Sequence, residues 1–270
     1  MSSEVSRRSG MDISGFRSSQ RFLDSARNDK SNRATRCFFT ALTVYRDATA
    51  HSAAMNMAID EALLSGATVP AIRFYRWQFP ALSFGYFGRF ADVASYQGER
   101  DLVRRWTGGG IVFHGDDLTY SIVIPAIDAT FAESSMSIYE TIHRGLVDAL
   151  SETGQRAVVA GVGDPGSSSV TMATRTGISD AGYSCFANPV RADVMINGRK
   201  IAGAAQRRTR RGLLQQGSIQ RVDVGNGLAE RFAHALSTNC CEREVDDAIL
   251  SRATELADQK YGTEGWLRKR

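Results

Sequence analysis

Arg104-Arg105-Trp106-Thr107-Gly108-Gly109-Gly110-Ile111-Val112-Phe113-His114 is the stretch on which the reading of this chain turns. Its flanks, Leu102 to Trp106 and Ile111 to Phe113, have the aliphatic and aromatic content of strands. Between them three consecutive glycines leave no Cβ in the way, so a carboxylate, a phosphate or an acyl chain could approach the backbone. A bulge or hairpin loop is the plainer alternative. No Gly-Lys-Ser/Thr follows and no G-x-G-x-x-G is present there, which excludes a Walker loop and a dinucleotide fingerprint. His114 precedes Gly115-Asp116-Asp117, which reads as a polar turn, and His51, His143 and His234 are too scattered for a metal triad.

Outward from this stretch the pattern mixes strands and helices. Upstream, Phe38 to Tyr45 reads as a strand. Met55, Ala58, Ile59, Ala62 and Leu63 recur at helical spacing, with Asn56, Asp60 and Glu61 on other faces and Gly66 as the stop. Strands follow at Ala71 to Trp77 and Ala81 to Gly85, split by Pro80. Downstream, Leu118 to Ile124 is a strand ended by Pro125, and Ile138, Ile142, Leu146 and Leu150 form the stripe of a helix from about 137 to 152. Residues 161–182, rich in Gly, Ser, Thr and Asp, read as a loop. A strand over 213–220 and helices near 226–237, 244–260 and 263–268 complete the chain, with Cys240-Cys241 taken as packing at a helix end. The alternation is not the regular βαβ kind, so the expected class is α+β, a mixed sheet flanked by helices.

A second informative stretch is Asp193-Val194-Met195-Ile196-Asn197-Gly198-Arg199-Lys200-Ile201-Ala202-Gly203. Asn-Gly between apolar runs is a strong hairpin signal, because both residues tolerate the positive φ of a type I′ turn. The expected register pairs Ile196 with Arg199, Met195 with Lys200, Val194 with Ile201 and Asp193 with Ala202. Strand alternation then sets Lys200, Met195 and Asp193 on one face, with Val194, Ile196 and Ile201 facing the core. Asp193 becomes a diagonal neighbour able to orient Lys200. Cys185 lies fifteen residues before the lysine, suggesting a thiol nucleophile with an amine nearby. The plainer reading is a surface hairpin with a solvated lysine.

Composition narrows the field without deciding it. The chain has 270 residues, 43% apolar and 23% charged, enough for one sizeable core. The net charge of +4 resides in residues 1–36, which hold seven Arg, one Lys, four acidic residues and nine Ser, so the remainder is formally neutral. That argues against a nucleic-acid footprint on the folded part, and residues 1–36 read as a disordered tail before a domain over 37–270. Four acidic residues in the tail argue against a transit peptide, and no apolar run approaches bilayer length, so a cytoplasmic protein that binds no membrane is expected. Cys37, Cys185, Cys240 and Cys241 have no metal-ligand spacing, and no metal is expected. The run Arg207-Arg208-Thr209-Arg210-Arg211-Gly212 could dock an acidic partner, although a solvated loop is its ordinary meaning.

Arg104 to His114 closely resembles the R-R-x-S/T-G-G-G-x-V-x-H signature of the lipoate-protein ligase and octanoyltransferase superfamily. Asn56 to Asp60 is similar to its N-terminal helix, Phe74 to Trp77 and Pro80 to Gly85 to its following strands, and Gly198 to Gln206 to its G-R/K-K-I/V-x-G-x-A-Q/Y motif. The resemblance spans about residues 40–268 and implies the biotin/lipoate ligase catalytic domain, related to class II aminoacyl-tRNA synthetases. It also implies one of two chemistries. Ligases activate free lipoate with ATP and Mg²⁺, whereas transferases move octanoyl from acyl carrier protein through a cysteine thioester to a lysine of lipoyl domains or of glycine-cleavage H protein. Ser184-Cys185-Phe186-Ala187-Asn188-Pro189 resembles the C-F-x-x-P segment of the cysteine-dependent transferases, and Ala192-Asp193 stands where ligases carry Asn-Asp. The sequence also ends soon after Trp266, without the accessory domain many ligases append. The implied function is octanoyl transfer without a cofactor, with Cys185 and Lys200 catalytic and Arg105, Thr107, Gly108, Gly109, Gly110, His114 and Asp193 around the substrate. Met195 and the glycine loop are expected to line the acyl slot. An ATP-dependent ligase, an amidotransferase drawing on the H protein and a non-catalytic binding module are the alternatives.

Overall fold

The computed structural model describes residues 37–161, 189–222 and 227–269. The segment carrying Cys185 and the N-terminal residues 1–36 therefore lie outside the described residues.

The central strands are hydrophobic on both faces, and that fixes the layering. β1 (Leu42–Arg46), β2 (Ala71–Tyr75), β6 (Leu118–Pro125), β8 (Val194–Ile196), β9 (Arg199–Thr209) and β10 (Gly212–Ile219) join β7 (Ala157–Val159) and β11 (Cys240–Arg243) in an eight-stranded sheet. Its order is β11-β1-β2-β6-β10-β9-β8-β7. β11 and β1, and β1 and β2, run parallel, whereas the pairings from β2 to β7 are antiparallel. Alternation sends Ile72, Phe74, Tyr120, Ile122, Ile124 and Leu213 to one face, which α2 (Ser135–Ser151) and α3 (Leu228–Leu236) cover with Ile138, Ile142, Leu146, Phe232 and Leu236. Ala71, Tyr75, Val123 and Leu214 point to the other face, where α1 (Ala53–Gly66) and α4 (Asp247–Leu256) pack. Side-chain caps start three of these helices: Ser52, Ser134 and Asp246 accept from the backbone N–H three residues on. A smaller sheet, β4-β3-β5, is built from β3 (Ala81–Phe84), β4 (Asp101–Arg104) and β5 (Val112–His114), and α5 (Glu264–Leu267) follows near the C-terminal end.

The α+β class and most elements agree with the sequence. Four differences have identifiable causes. β1 begins at Leu42 rather than Phe38, although Phe39 is buried in the core. Pro125 closes β6 from within, pairing with Gly212 across the sheet. Cys240 and Cys241 form edge strand β11 against Leu42 and Thr43, not a helix end. Arg207, Arg208 and Thr209 belong to β9, with only Arg210 and Arg211 in the turn, and the Arg208 guanidinium donates to the carbonyls of Phe131 and Glu133.

The Asn197-Gly198 hairpin has positive φ at both residues, 49° and 75°, as a type I′ turn needs. Ile196 pairs with Arg199 and Met195 with Lys200 as expected. The register then shifts, so Val194 faces Ala202 rather than Ile201. A bulge of this kind re-aims side chains beside it.

Candidate active site

Where the two sheets meet α1, a cavity opens with Met57, Tyr75, Trp77 and Val112 as its apolar wall. Its polar wall comes from Ser83, Arg105, His114, Lys200, Gln216 and Ser218. Apolar walls with a few fixed polar groups suit a small acyl ligand.

Lys200 is 6% exposed, so it is not the solvated hairpin lysine of the plainer reading. Its Nζ stands 2.8 Å from Oδ2 of Asp193, a carboxylate with no exposed surface. Oδ2 also accepts from the Val190 N–H at 2.7 Å, and Oδ1 accepts from the Tyr139 hydroxyl at 2.7 Å. Ala192, just before Asp193, holds φ at 70°, in the left-handed region that a residue with a Cβ seldom enters. The chain is pinned there by reciprocal bonds with Ala160 and by the His143 imidazole, whose Nδ1 donates to the Ala192 carbonyl at 2.5 Å. Burial pushes His143 down to about 4, so it is neutral in neutral solution. Position 203 must be glycine for the lysine to lie where it does: a Cβ there would meet Lys200 Cε at 2.5 Å and Nζ at 2.6 Å.

The adjacent arginines of the glycine stretch have opposite tasks. Arg104, without exposed surface, donates to the carbonyls of Tyr86, Gly88, Trp266, Leu267 and Lys269, tying the C-terminal turn to the loop after β3. Arg105 faces the cavity and donates to Ser83 Oγ at 2.7 Å and to the carbonyls of Gly108 and Gly110. The triple glycine is thereby held by its own carbonyls, and it sits against Gly85, where a Cβ would fall 2.0 Å from the Gly109 oxygen. Gly108, Gly109 and Gly110 do not themselves line the cavity, nor does Met195.

Thr107 is also one step removed. Its hydroxyl donates to Gln216 Oε1 at 2.8 Å, and Gln216 lines the cavity while donating from Nε2 to Asp60 at 2.7 Å. His114 stacks on Trp77 with ring centroids 4.1 Å apart. Ser83 Oγ, already accepting from Arg105, donates to His114 Nε2 at 2.7 Å, so Nδ1 carries the proton and donates to Asp117 Oδ2 at 2.8 Å. Burial lowers the His114 pKa, and Arg105 and Arg100 add to the effect against the pull of Asp117. Asp117 is no polar surface turn. Its own burial would raise its pKa, but donors on His114, Ser218 and the Gly115 N–H outweigh that and hold the carboxyl down at about 2.

Lys200 and Asp193 thus meet directly, and Arg105 and His114 meet through Ser83; Lys200, Arg105, His114 and Ser83 line one cavity, whereas Asp193 does not. Cys185 lies outside the described residues. Ser83, Gln216, Ser218, Asp117, Tyr139 and Asp60 belong to the site or its support without having been singled out for it. Only Ser83, Gln216 and Ser218 carried a local signal, a polar residue inside an apolar strand pattern. Among the described residues no group of three metal-ligating side chains gathers, and no helix is long and apolar enough to cross a membrane.

Comparison with known proteins matches residues 52–260 to the lipoyl protein ligase A/B catalytic domain. The chain belongs to that family. Octanoyltransferase LipM of Oceanobacillus iheyensis is 40% identical over 179 residues, covering 63% of this chain and 61% of the relative. Octanoyltransferase LipM of Macrococcus caseolyticus is 35% identical over 213 residues, covering 75% and 74%. The matched span is thus under two thirds of the first relative's length and about three quarters of the second's. The family fold recurs in lipoate-protein ligase A bound with ATP, with TM-score 0.64 and 23% identity over 85% of this chain and 98% of that one. It recurs in the bi-partite lipoate protein ligase of Thermoplasma acidophilum, with TM-score 0.61 and 23% identity over 86% and 96%.

Proposed function

We propose that this chain is an acyltransferase of protein lipoylation, moving octanoyl from acyl carrier protein to a lysine of a lipoyl domain or of the glycine-cleavage H protein. Cys185 and Lys200 carry the reaction within a catalytic domain over residues 37–270 in the cytoplasm, and residues 1–36 are a tail outside it. The observation that carries the reading is the buried Lys200, paired with Asp193 at the wall of an apolar cavity, in a chain whose relatives are named octanoyltransferases.

Cys185 ionises with help from the Lys200 ammonium, since lowering a thiol pKa from about 8.5 toward 7 raises the thiolate share at neutral pH to about half. The thiolate attacks the carbonyl carbon of the octanoyl thioester, the old carbon–sulfur bond breaks, and the carrier's sulfur leaves with a proton. The acceptor amine then attacks the Cys185 thioester, an amide bond forms, and Cys185 is released as thiolate. The Lys200 ammonium gives its proton to the departing carrier sulfur and then, as the amine, takes one from the acceptor nitrogen, and Asp193 keeps it in place. Met57, Tyr75, Trp77 and Val112 take the alkyl chain, while Arg105 and the Ser83 hydroxyl that it holds belong to the polar wall. His114 has both nitrogens engaged and orients Ser83. Thr107 sets Gln216.

The test is turnover. Purified chain, octanoyl-acyl carrier protein and a lipoyl domain should yield octanoylated domain without ATP or Mg²⁺, and Cys185→Ala should abolish it. A requirement for ATP with free octanoate, persisting in Cys185→Ala, would identify a ligase instead. Faster transfer from octanoylated H protein than from the carrier protein would mark an amidotransferase.

A further inference from the structure

Lys200 can act on a thioester only if its amine is held at the cavity wall, and the described residues show what holds it. Asp193 sits just before β8, after a left-handed residue, so strand pairing does not set its side chain. Besides Lys200, two donors fix its carboxylate: the Val190 N–H on Oδ2 and the Tyr139 hydroxyl on Oδ1.

Tyr139 reaches that carboxylate from the first turns of α2 and is 7% exposed. Its hydroxyl also accepts from the Ala204 N–H of β9 at 2.9 Å, in the strand that carries Lys200. One phenol therefore spans the helix, the carboxylate and the lysine's own strand. Its ring packs edge-on against His143, centroids 4.4 Å apart. Burial, then the Asp193 charge, push the phenol pKa far above its ordinary value, so the proton stays on oxygen and the group remains a donor.

We propose that Tyr139 is a positioning residue that locks Asp193 onto Lys200 and thereby holds the Lys200 amine at the cavity wall. For activity this rests on the reading of Lys200 as the proton-transferring amine; for the placement of the lysine it does not. The phenol is the side-chain donor on Asp193 Oδ1, and its second bond, to the Ala204 N–H, ties that carboxylate to the strand from which Lys200 projects. Without the hydroxyl the carboxylate keeps the Val190 N–H on Oδ2 and is free to turn about it, away from the Lys200 amine.

The experiment is brief labelling of the full chain with an amine-selective anhydride at one alkaline pH, reading the Lys200 peptide by mass spectrometry. Tyr139→Phe keeps the ring and removes the hydroxyl. Its Lys200 is expected to label about three-fold faster or more than in the parent chain, in the same direction as Asp193→Asn, because a lysine whose carboxylate can turn away is held less firmly. The kcat of octanoyl transfer should fall about ten-fold, with KM for the acyl donor within about two-fold. A parental labelling rate for Tyr139→Phe beside a faster one for Asp193→Asn would overturn the proposal, as would slower labelling. If Tyr139→Phe does not fold, Tyr139→Gln, too short to reach Asp193, answers the same question in the same terms. Undiminished transfer by Lys200→Met would refute the catalytic reading of the lysine and leave the labelling result to judge the proposal.

Discussion

Two buried cations sit on this sheet, and they differ in one respect. Arg73, 1% exposed on β2, spends five N–H groups on Asp47, Asn56 and Asp60, stacks over Tyr75, and does not line the cavity. Lys200, 6% exposed, is paired with the Asp193 carboxylate and lines the cavity wall. Burial with pairing is common to both, so neither property marks function. Contact with the cavity separates them: Arg73 joins α1 to the sheet, whereas Lys200 stands where a ligand in the cavity would meet it.

The contrast is broken most forcefully by removing each cation. Lys200→Met should lower octanoyl transfer by roughly 10²–10⁴, the range typical of a lost proton-transfer group, measured as kcat on a lipoyl domain. Arg73→Met should instead lower unfolding free energy by about 3–5 kcal/mol, because Asp47 and Asp60 lose their buried partner. Its folded fraction should turn over at close to the parental rate, read from urea midpoints beside kcat. Equal losses of rate and stability in both variants would erase the distinction.

Acidification sharpens it next, since the lysine cluster includes the fully buried His143, whereas the histidine of the arginine cluster, His51 against Asp47, is part-exposed. The folded pKa of His143 lies near 4 and its ordinary value is 6.5, so the unfolded chain takes up this proton first. Stability should fall as pH drops from 6.5 to 4, by about 3 kcal/mol from this residue, and His143→Gln should flatten that portion of the curve. Asp117 acts lower. Its pKa is depressed from 3.8 to about 2, so its contribution of about 2 kcal/mol is present above 3.8 and is lost as pH falls toward 2.

The smallest effect on stability is expected at Gly203. In Gly203→Ala the new Cβ collides with the end of the Lys200 side chain, which can move, and comes within 3.1 Å of Asp193 Oδ1, with no backbone atom among its three nearest neighbours. Stability should change by about 1 kcal/mol or less while transfer falls about ten-fold, since displacing the amine costs geometry rather than packing. A variant with unaltered kcat would show that the position of Lys200 is not demanding.

Local signals made much of this readable beforehand. Asn197-Gly198 specified a hairpin because positive φ at two successive positions is a local demand, and the apolar stripe of α2 was visible at its own period. What could not be read depended on partners far along the chain. Asn56 and Asp60 looked like the polar face of α1, yet both are fully buried because Arg73 reaches them across the sheet. Asp117 looked like a turn residue until Ser218, 101 positions later, was seen to donate to it. The register shift that moves Val194 from Ile201 to Ala202 follows no local code and lies directly beside Asp193, the partner of Lys200. β11 was missed because a short, mostly exposed edge strand has no apolar alternation to betray it. Within the site, Lys200 and Asp193 meet as expected but not by register parity, which the shift at Val194 breaks before Asp193 is reached, and the supporting shell of Tyr139, Ser83 and Gln216 required the tertiary structure.

The central claim is that octanoyl rests on the Cys185 sulfur between donor and acceptor. Intact-mass spectrometry of the full chain after incubation with octanoyl-acyl carrier protein alone tests it most directly. The account predicts an increase of one octanoyl group, labile to hydroxylamine, in the parent chain and none in Cys185→Ala. No adduct in the parent, or the same adduct in Cys185→Ala, would contradict it.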